Sequence, residues 1–237
     1  MGKFKQVREA VEFQKETSAG QQSHDYYNLD RRDASEYFAL LPKWREQITT
    51  YFQALHGSNE EVVHVDICGR ATAEKLGADK SYCFSLKTPE SRRVVRPNDV
   101  FIDGDIFSNA DFSNLLERLK QENVAPALVT FEPVVGLQSY DPRLNLKHNP
   151  RYREVVYGQL EKRLRAAVAI LKPGGYVFLE RPFQSDGTAD FFQGKPQKKW
   201  EISLAVKKLA RELHCSIEIA SEITGPYFLI HKPLSEE

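Results

Sequence analysis

Between residues 26 and 55, apolar side chains recur at steps of three and four. The members of this stripe are Phe38, Leu41, Trp44, Ile48 and Phe52. This spacing is typical of an amphipathic helix that buries one face. Pro42 lies inside the stripe, and proline lacks the amide hydrogen that a helix interior requires, so we expect two helices or a kink there. The polar run HGSNEE at 56–61 predicts a turn that ends the segment.

Beyond residue 60 the pattern changes to short apolar runs that alternate with longer amphipathic stretches. The apolar runs predict strands, at residues 62–67, 81–87, 99–107, 127–135, 176–183, 216–223 and 227–233. The clearest amphipathic stretches predict helices, at residues 111–123, 151–171 and 198–213. Strands that alternate with helices favour βαβ units, and hence a mostly parallel sheet with helices on both faces.

The last two predicted strands are separated by the short break Thr224-Gly225-Pro226. Such a break is too short for a crossover, so this pair is expected to be antiparallel. The predicted fold class is therefore α/β, with a mostly parallel seven-stranded sheet, helices on both faces and a C-terminal antiparallel strand pair. Residues 1–59 are predicted to form an N-terminal helical extension or cap, and residues 60–237 the α/β domain.

Composition narrows the choice of partners. The chain has 237 residues and a formal net charge of zero, so no overall field draws it to nucleic acid or to an anionic membrane. No run approaches the ~20 apolar residues of a membrane span, and the first residues lack an apolar signal core. We expect a cytoplasmic protein with no membrane partner. The cysteines, Cys68, Cys83 and Cys215, fit a reducing compartment and match neither a disulfide framework nor a zinc spacing.

Three short stretches resemble the class I S-adenosylmethionine-dependent methyltransferases. The most specific is VAILKPGGYVFLE at 168–180, because in that family a helix ends at L-x-P-G-G and a strand follows. GDIFS at 104–108 is similar to the family's third-strand ending. HVDICG at 64–69 resembles its first motif, where an acidic residue and a glycine turn end the first strand. The resemblance covers residues 60–233 and implies S-adenosylmethionine as the cofactor.

The resemblance also implies where the cofactor binds, since ligands of open α/β sheets lie at the carboxyl ends of the strands. Asp66 is expected near the methionyl ammonium of the cofactor and Asp105 near its adenine. The other residues expected at the cofactor are Cys68, Gly69, Ala71, Ser85, Ile106 and Phe131. The two acids, Asp66 and Asp105, have a simpler alternative role, because each could cap the helix that follows it. Ser108 competes with Asp105 for that cap.

Two departures from the family pattern leave a second interpretation open. The family's first motif has glycines at two or three alternating positions, whereas Cys68, Gly69 and Ala71 supply one. The family's second strand commonly ends with an acid that binds the ribose hydroxyls, and here it ends at Ser85. The alternative is thus a catalytically inactive methyltransferase-like binding or scaffolding protein. A nicotinamide-dependent oxidoreductase needs G-x-G-x-x-G after the first strand, which VDICGRATA lacks.

The acceptor side of the site is less specified. Glu132, at the end of the fourth strand, is a candidate general base or a group that binds a cationic acceptor, and a solvated strand-end acid is its alternative. His148 is the histidine most suited to chemistry among the loops. The loops at 136–157 and 183–200 mix cationic and aromatic residues, which suits a small-molecule lid or a nucleic-acid groove. Methyl transfer itself would rest on proximity and orientation. Neither the acceptor nor the oligomeric state follows from the sequence.

Overall fold

The computed structural model describes residues 38, 41–67, 76–85, 97–104, 108–131, 161–179, 206–220 and 227–234. These residues include seven strands of one sheet. The strands are β1 Val63–Ile67, β2 Lys80–Ser85, β3 Val100–Asp103, β4 Leu128–Phe131, β5 Tyr176–Leu179, β6 Ser216–Ala220 and β7 Tyr227–His231. Their order across the sheet is β3-β2-β1-β4-β5-β7-β6.

The pairing confirms the predicted fold class. Strands β1 to β5 pair in parallel, as expected for βαβ units, and β6 pairs antiparallel with β7. One feature was not predicted: β7 lies between β5 and β6 and is antiparallel to both. The chain therefore passes to the outer edge of the sheet with β6 and turns back to fill the space beside β5.

Helix α1, Pro42–Gly57, begins at the proline and is not broken by it. Pro42 occupies the first turn, where its missing amide hydrogen costs nothing because the first amides of a helix have no partner inside the helix. Residue 38 is also helical and lies before this start, which agrees with the predicted interruption. The predicted apolar stripe is buried, and it includes Trp44, Ile48 and Phe52.

Helix α2, Asn109–Gln121, has Ser108 as its N-cap, since the Ser108 side chain accepts a hydrogen bond from the Asp111 amide at 3.2 Å. Two further helices are described over residues 161–170 (α3) and 206–212 (α4). The chain after α3 turns at Gly174, whose φ of +76° is a conformation that favours glycine. The predicted helix stop at Pro-Gly-Gly is thus confirmed. No helix in the described ranges is long and apolar enough to cross a bilayer.

Alternation along the strands divides the sheet into two faces with different covers. We call one the α2–α4 face, where strand residues such as Val65, Val129 and Val177 pack with helices α2, α3 and α4 in one apolar cluster. The other is the α1 face, where strand residues such as Leu128 and Phe178 pack with helix α1. Because each parallel strand is covered on both sides, its residues are expected to be apolar throughout.

Helix α1 is also tied to the edge strand β6. Glu218 of β6 accepts hydrogen bonds from Lys43 at 2.7 Å, from Trp44 at 3.1 Å and from Gln47 at 2.7 Å. These bonds anchor helix α1 to one face of the strand at the edge of the sheet. The helix is therefore packed as a layer of the sheet structure, and the predicted division of the chain at residues 59/60 stays a prediction.

Candidate functional site

Three neighbouring strands end side by side at the carboxyl edge of the sheet. In the register of the sheet, Asp66 of β1 lies beside Cys83 of β2, and Ser85 of β2 lies beside Asp103 of β3. Adjacent strands are about 4.8 Å apart, so Asp66, Ser85 and Asp103 occupy one stretch of this edge. Two of them, Asp66 and Ser85, are among the predicted cofactor residues.

The strand order places a topological switch point next to β1. From β1 the chain leads to β2 and β3 on one side and to β4 and β5 on the other. Crossovers that diverge in this way open a crevice at the carboxyl ends of the two central strands, and ligands of open α/β sheets bind there. Asp66 and Thr130 are the next-to-last residues of these two strands.

Asp66 is completely buried, and one of its carboxylate oxygens is held across the switch point. The Thr130 hydroxyl donates a hydrogen bond to Asp66 Oδ1 at 2.7 Å. A buried carboxylate without such a donor would be costly. Asp66 has no exposed surface, and it therefore offers no open contact at this edge.

His64 extends this interaction beneath the edge. Its Nε2 lies 2.8 Å from Thr130 Oγ1, and its Nδ1 lies 3.4 Å from Ser81 Oγ. Asp66, Thr130, His64 and Ser81 are all completely buried, and we call these four residues the buried polar chain. The Ser81 amide in turn donates to Asp99 Oδ1 at 2.9 Å. Polar contacts therefore run from the carboxyl edge of β1 to the amino end of β3.

Neither His64 nor Thr130 was among the predicted site residues. A signal for His64 was nevertheless available, because His64 and Asp66 are two positions apart in an otherwise apolar strand and therefore point to the same face. Two polar side chains on one face of a strand buried on both sides need polar partners. Their partner Thr130 was hidden, since it is 64 positions away from Asp66 in the chain.

Asp103 is the exposed carboxylate at this edge among the described residues of β1, β2 and β3. It lies beside Ser85 in the register, and the Gly104 amide donates to the Ser85 carbonyl at 3.1 Å. The ends of β2 and β3 are thereby held together. Asp103 thus places a carboxylate beside the end of β2.

Gly104 closes the end of β3 against an aromatic ring. A Cβ at this position would lie 2.3 Å from Cε2 of Phe84, far inside contact distance. Phe84 is completely buried and meets Phe112 of α2 edge-on, with ring centroids 6.0 Å apart. The backbone at Gly104 approaches the ring because glycine has no side chain there, and this contact sets where the chain leaves β3.

Phe131, the last residue of β4, is completely buried and belongs to the apolar cluster of the α2–α4 face. Its predicted part in cofactor binding stays a prediction. Seven other predicted site residues lie outside the described residues, namely Cys68, Gly69, Ala71, Asp105, Ile106, Glu132 and His148. The loops at 136–157 and 183–200 also lie outside them.

Neither a protein-family model nor a curated protein matches the chain. Among solved structures, it is similar to an O-methyltransferase family protein from Burkholderia thailandensis, at 12% identity and a TM-score of 0.43 over 96% of this chain and 72% of that one. It is also similar to the MycE methyltransferase of the mycinamycin biosynthetic pathway in complex with Mg and SAH. There the identity is 12% and the TM-score 0.48, over 83% of this chain and 49% of MycE.

A third similar structure is a short chain dehydrogenase family protein from Francisella tularensis, at 17% identity and a TM-score of 0.43 over 65% of this chain and 64% of that one. The chain spans about half the length of MycE. Methyltransferases and a dehydrogenase thus both resemble it, which is a likeness of fold. The case for a function rests on the chain's own residues.

Proposed function

We propose that the chain binds S-adenosylmethionine at the carboxyl ends of β1, β2 and β3 and transfers its methyl group to an acceptor. The observation that carries this proposal is the buried Asp66 carboxylate, held by Thr130 across the switch point. A negative charge enclosed there favours a cationic ligand, and the methionyl end of the cofactor carries an ammonium group. The first-motif resemblance at 64–69 assigns the same position to an acid.

The acidic groups at the edge match the chemistry of this cofactor. Enclosure strengthens the effect of the Asp66 charge, because charges act over a longer range where water is excluded. Asp103 supplies an exposed carboxylate beside Ser85, and a carboxylate accepts hydrogen bonds from vicinal hydroxyls such as those of ribose. Together, Asp103 and Ser85 would take the part that a single acid at the end of β2 plays in the family.

The remaining predicted contacts fit around these groups. Cys68, Gly69 and Ala71 follow Asp66 directly in the sequence, and Asp105 and Ile106 follow Gly104. All five are proposed to line the cofactor. When bound, S-adenosylmethionine supplies an electrophilic methyl group on its sulfonium. The chain's task is then to bind and orient the two reactants and to exclude water, which accounts for a site without an evident catalytic pair.

The acceptor is proposed to be a small molecule. A net charge of zero gives no general attraction to nucleic acid, so a nucleic-acid acceptor is the less favoured choice. Glu132 and His148, which follow β4 in the chain, are the proposed residues on the acceptor side. Either would remove a proton from the acceptor only if the acceptor atom carries one that must leave.

Binding is the first test. Isothermal titration calorimetry with S-adenosylmethionine and S-adenosylhomocysteine should give one site per chain, and both ligands should raise the melting temperature, whereas NAD should not. Asp66→Asn should weaken binding roughly tenfold or more, since it removes the charge of the side chain while keeping its shape. Asp79→Asn is the matched control, because Asp79 precedes the amino end of β2 at the opposite edge of the sheet, and it should bind as the wild type does.

Two results would count against the proposal. Absence of any binding at millimolar S-adenosylmethionine would rule it out as the cofactor. A response to NAD alone would favour an oxidoreductase. Binding without turnover is a separate outcome. It is checked by incubating the protein with S-adenosylmethionine and a small-molecule extract and measuring S-adenosylhomocysteine; no product in any extract would favour a binding protein over an enzyme.

A further inference from the structure

The Thr130 hydroxyl lies between two titratable side chains in the buried polar chain. It is 2.7 Å from Asp66 Oδ1 and 2.8 Å from His64 Nε2. All three side chains are completely buried, so bulk water does not compete for these hydrogen bonds. A hydroxyl has one proton and can accept from other donors. If Thr130 donates its proton to one of these neighbours, it can therefore only accept from the other.

Two proton arrangements satisfy this geometry. In the first, Thr130 donates to an ionised Asp66 and accepts from a protonated His64 Nε2. In the second, Asp66 carries a proton and donates to Thr130, and Thr130 donates to a bare His64 Nε2. The first arrangement is the one in which Asp66 is ionised, and an ionised carboxylate can only accept from the Thr130 hydroxyl. Ser81 Oγ, 3.4 Å from His64 Nδ1, lies on the far side of the imidazole ring.

We propose that His64 is a positioning residue for the cofactor site. Its Nε2–H holds the Thr130 hydroxyl in the orientation that donates to Asp66, and so keeps an ionised, fixed carboxylate beneath the carboxyl edge of β1. This inference rests on the proposed function only for what the carboxylate then binds. The arrangement of the three side chains is a property of the protein without ligand.

A purely structural role explains the buried polar chain less well. An apolar trio of similar volume would fill the same space without the desolvation cost that a buried imidazole and carboxylate carry. Neighbouring positions on this face are apolar, including Leu128 of β4 and Phe178 of β5. His64 and Asp66 of β1 and Thr130 of β4 lie on the two strands that flank the switch point, where a ligand would use a fixed charge. Orientation by a supporting hydrogen bond is what gives such a site its precision.

The first test compares variants that keep or remove each hydrogen bond. Thr130→Ser keeps the hydroxyl and Thr130→Val removes it while keeping the shape; Gln at His64 keeps an N–H near the position of Nε2, and Leu removes it. Affinity for S-adenosylhomocysteine, measured on the folded protein by calorimetry, should fall about tenfold in Thr130→Val and His64→Leu. It should stay within about threefold in Thr130→Ser and His64→Gln.

Stability must be separated from positioning, because all four variants disturb a buried site. Val129→Ala, on the opposite face of β4, serves as the control for lost stability alone. Its affinity should equal that of the wild type, although its unfolding midpoint falls. The inference is overturned if Thr130→Val binds as tightly as Thr130→Ser, or if affinity follows the unfolding midpoint across the whole set.

The second test needs no ligand. Nitrogen-15 NMR of the wild-type imidazole should show His64 with a proton on Nε2. A His64 protonated on Nδ1 alone, with a bare Nε2, would overturn the inference, since Thr130 would then donate to His64 and not to Asp66. If the wild type binds no adenosyl ligand, the proposed function fails, and the tautomer still decides the positioning inference on its own.

Discussion

The two faces of the sheet differ in what they bury. On the α2–α4 face, the strand residues in the core are apolar apart from Tyr82, whose hydroxyl reaches Glu122 at 2.5 Å. On the α1 face, Leu128 of β4 and Phe178 of β5 pack with helix α1, but β1, β2 and β4 also bury polar side chains, namely His64, Asp66, Ser81 and Thr130. Burial of apolar area accounts for the composition of the α2–α4 face. The α1 face buries polar groups at a cost in stability, and these groups lie around the switch point.

On the proposed function, the two faces have separate tasks: the α2–α4 face stabilises the fold, and the polar part of the α1 face would prepare the binding site. The contrast is testable, because substitutions on the first face should lower stability without changing affinity, and those at the second should change affinity. Residues at the boundary between them should affect both.

The largest expected effect on stability is at Leu115, which α2 buries in the apolar cluster of the α2–α4 face. Leu115→Ala should lower the free energy of unfolding by about 2–5 kcal/mol, through lost burial and the cavity left behind. Urea denaturation measures this change. Affinity for S-adenosylhomocysteine, measured on the folded fraction, should not change; a loss of affinity at this position would undo the separation of tasks.

Gly104 lies at the boundary and should affect both properties. Its Cβ in Gly104→Ala would lie 2.3 Å from Cε2 of the buried Phe84 ring, so the ring or the end of β3 must move. We expect a loss of about 1–3 kcal/mol in unfolding free energy together with weaker cofactor binding. Adding Phe84→Leu should restore part of both losses relative to Gly104→Ala alone. If Gly104→Ala is as stable as the wild type, the close contact does not hold the strand end.

Asp103 should affect affinity with little change in stability, because it is exposed at the end of β3. Asp103→Asn should weaken S-adenosylhomocysteine binding about three- to tenfold, as expected for the net contribution of one ordinary hydrogen bond, about 0.5–1.5 kcal/mol. Stability should stay within about 0.5 kcal/mol of the wild type. The sharper measurement uses the ligand's 2′-deoxy analogue. The wild type should discriminate against it, and Asp103→Asn should not; equal discrimination would remove Asp103 from the ribose site.

The smallest expected effect is at Glu122, near the amino end of β2. Hydrogen bonds from Tyr82 and then from Arg118 lower the pKa of Glu122 from 4.5 to about 2. A carboxyl with a lower pKa in the folded state stabilises the fold above its ordinary pKa, and that contribution is lost as the pH falls from 4.5 toward 2. The effect should be modest, since Glu122 is partly exposed.

The urea midpoint of Glu122→Gln should therefore fall less than that of the wild type between about pH 5 and about pH 3, a range in which carboxyl groups titrate. Its affinity for S-adenosylhomocysteine at neutral pH should be unchanged, because Lys80 and Tyr82, which Glu122 contacts, lie at the start of β2. An identical acid sensitivity in both proteins would show that this hydrogen bond does not link stability to pH.

The fold was predictable because its signals are local. Each strand is a short apolar run, each helix has its own periodicity, and Ser108 and Gly174 mark a helix start and a turn through their own chemistry. The interruption at Pro42 was predicted correctly, but only the structure shows that Pro42 occupies the first turn of α1. The insertion of β7 beside β5 was not predictable, since it depends on which strand edge is free and not on local sequence.

The candidate site was predictable only in part. Asp66 stood out as an acid at the end of an apolar strand, whereas its partner Thr130 belongs to an ordinary apolar run 64 positions later. Their contact depends on the register of β1 against β4, in which Asp66 lies beside Thr130. A register follows from packing of the whole sheet, so no local pattern shows it. The position of Asp103 beside Ser85 is likewise a matter of register.

The measurement that tests the central claim most directly is a crystal structure of the chain grown with saturating S-adenosylhomocysteine. The account predicts ligand density across the carboxyl ends of β1, β2 and β3, with the amino-acid end of the ligand toward Asp66 and its ribose toward Asp103. Density at another place on the molecule, or none at this edge at a ligand concentration that saturates the protein in solution, would contradict it.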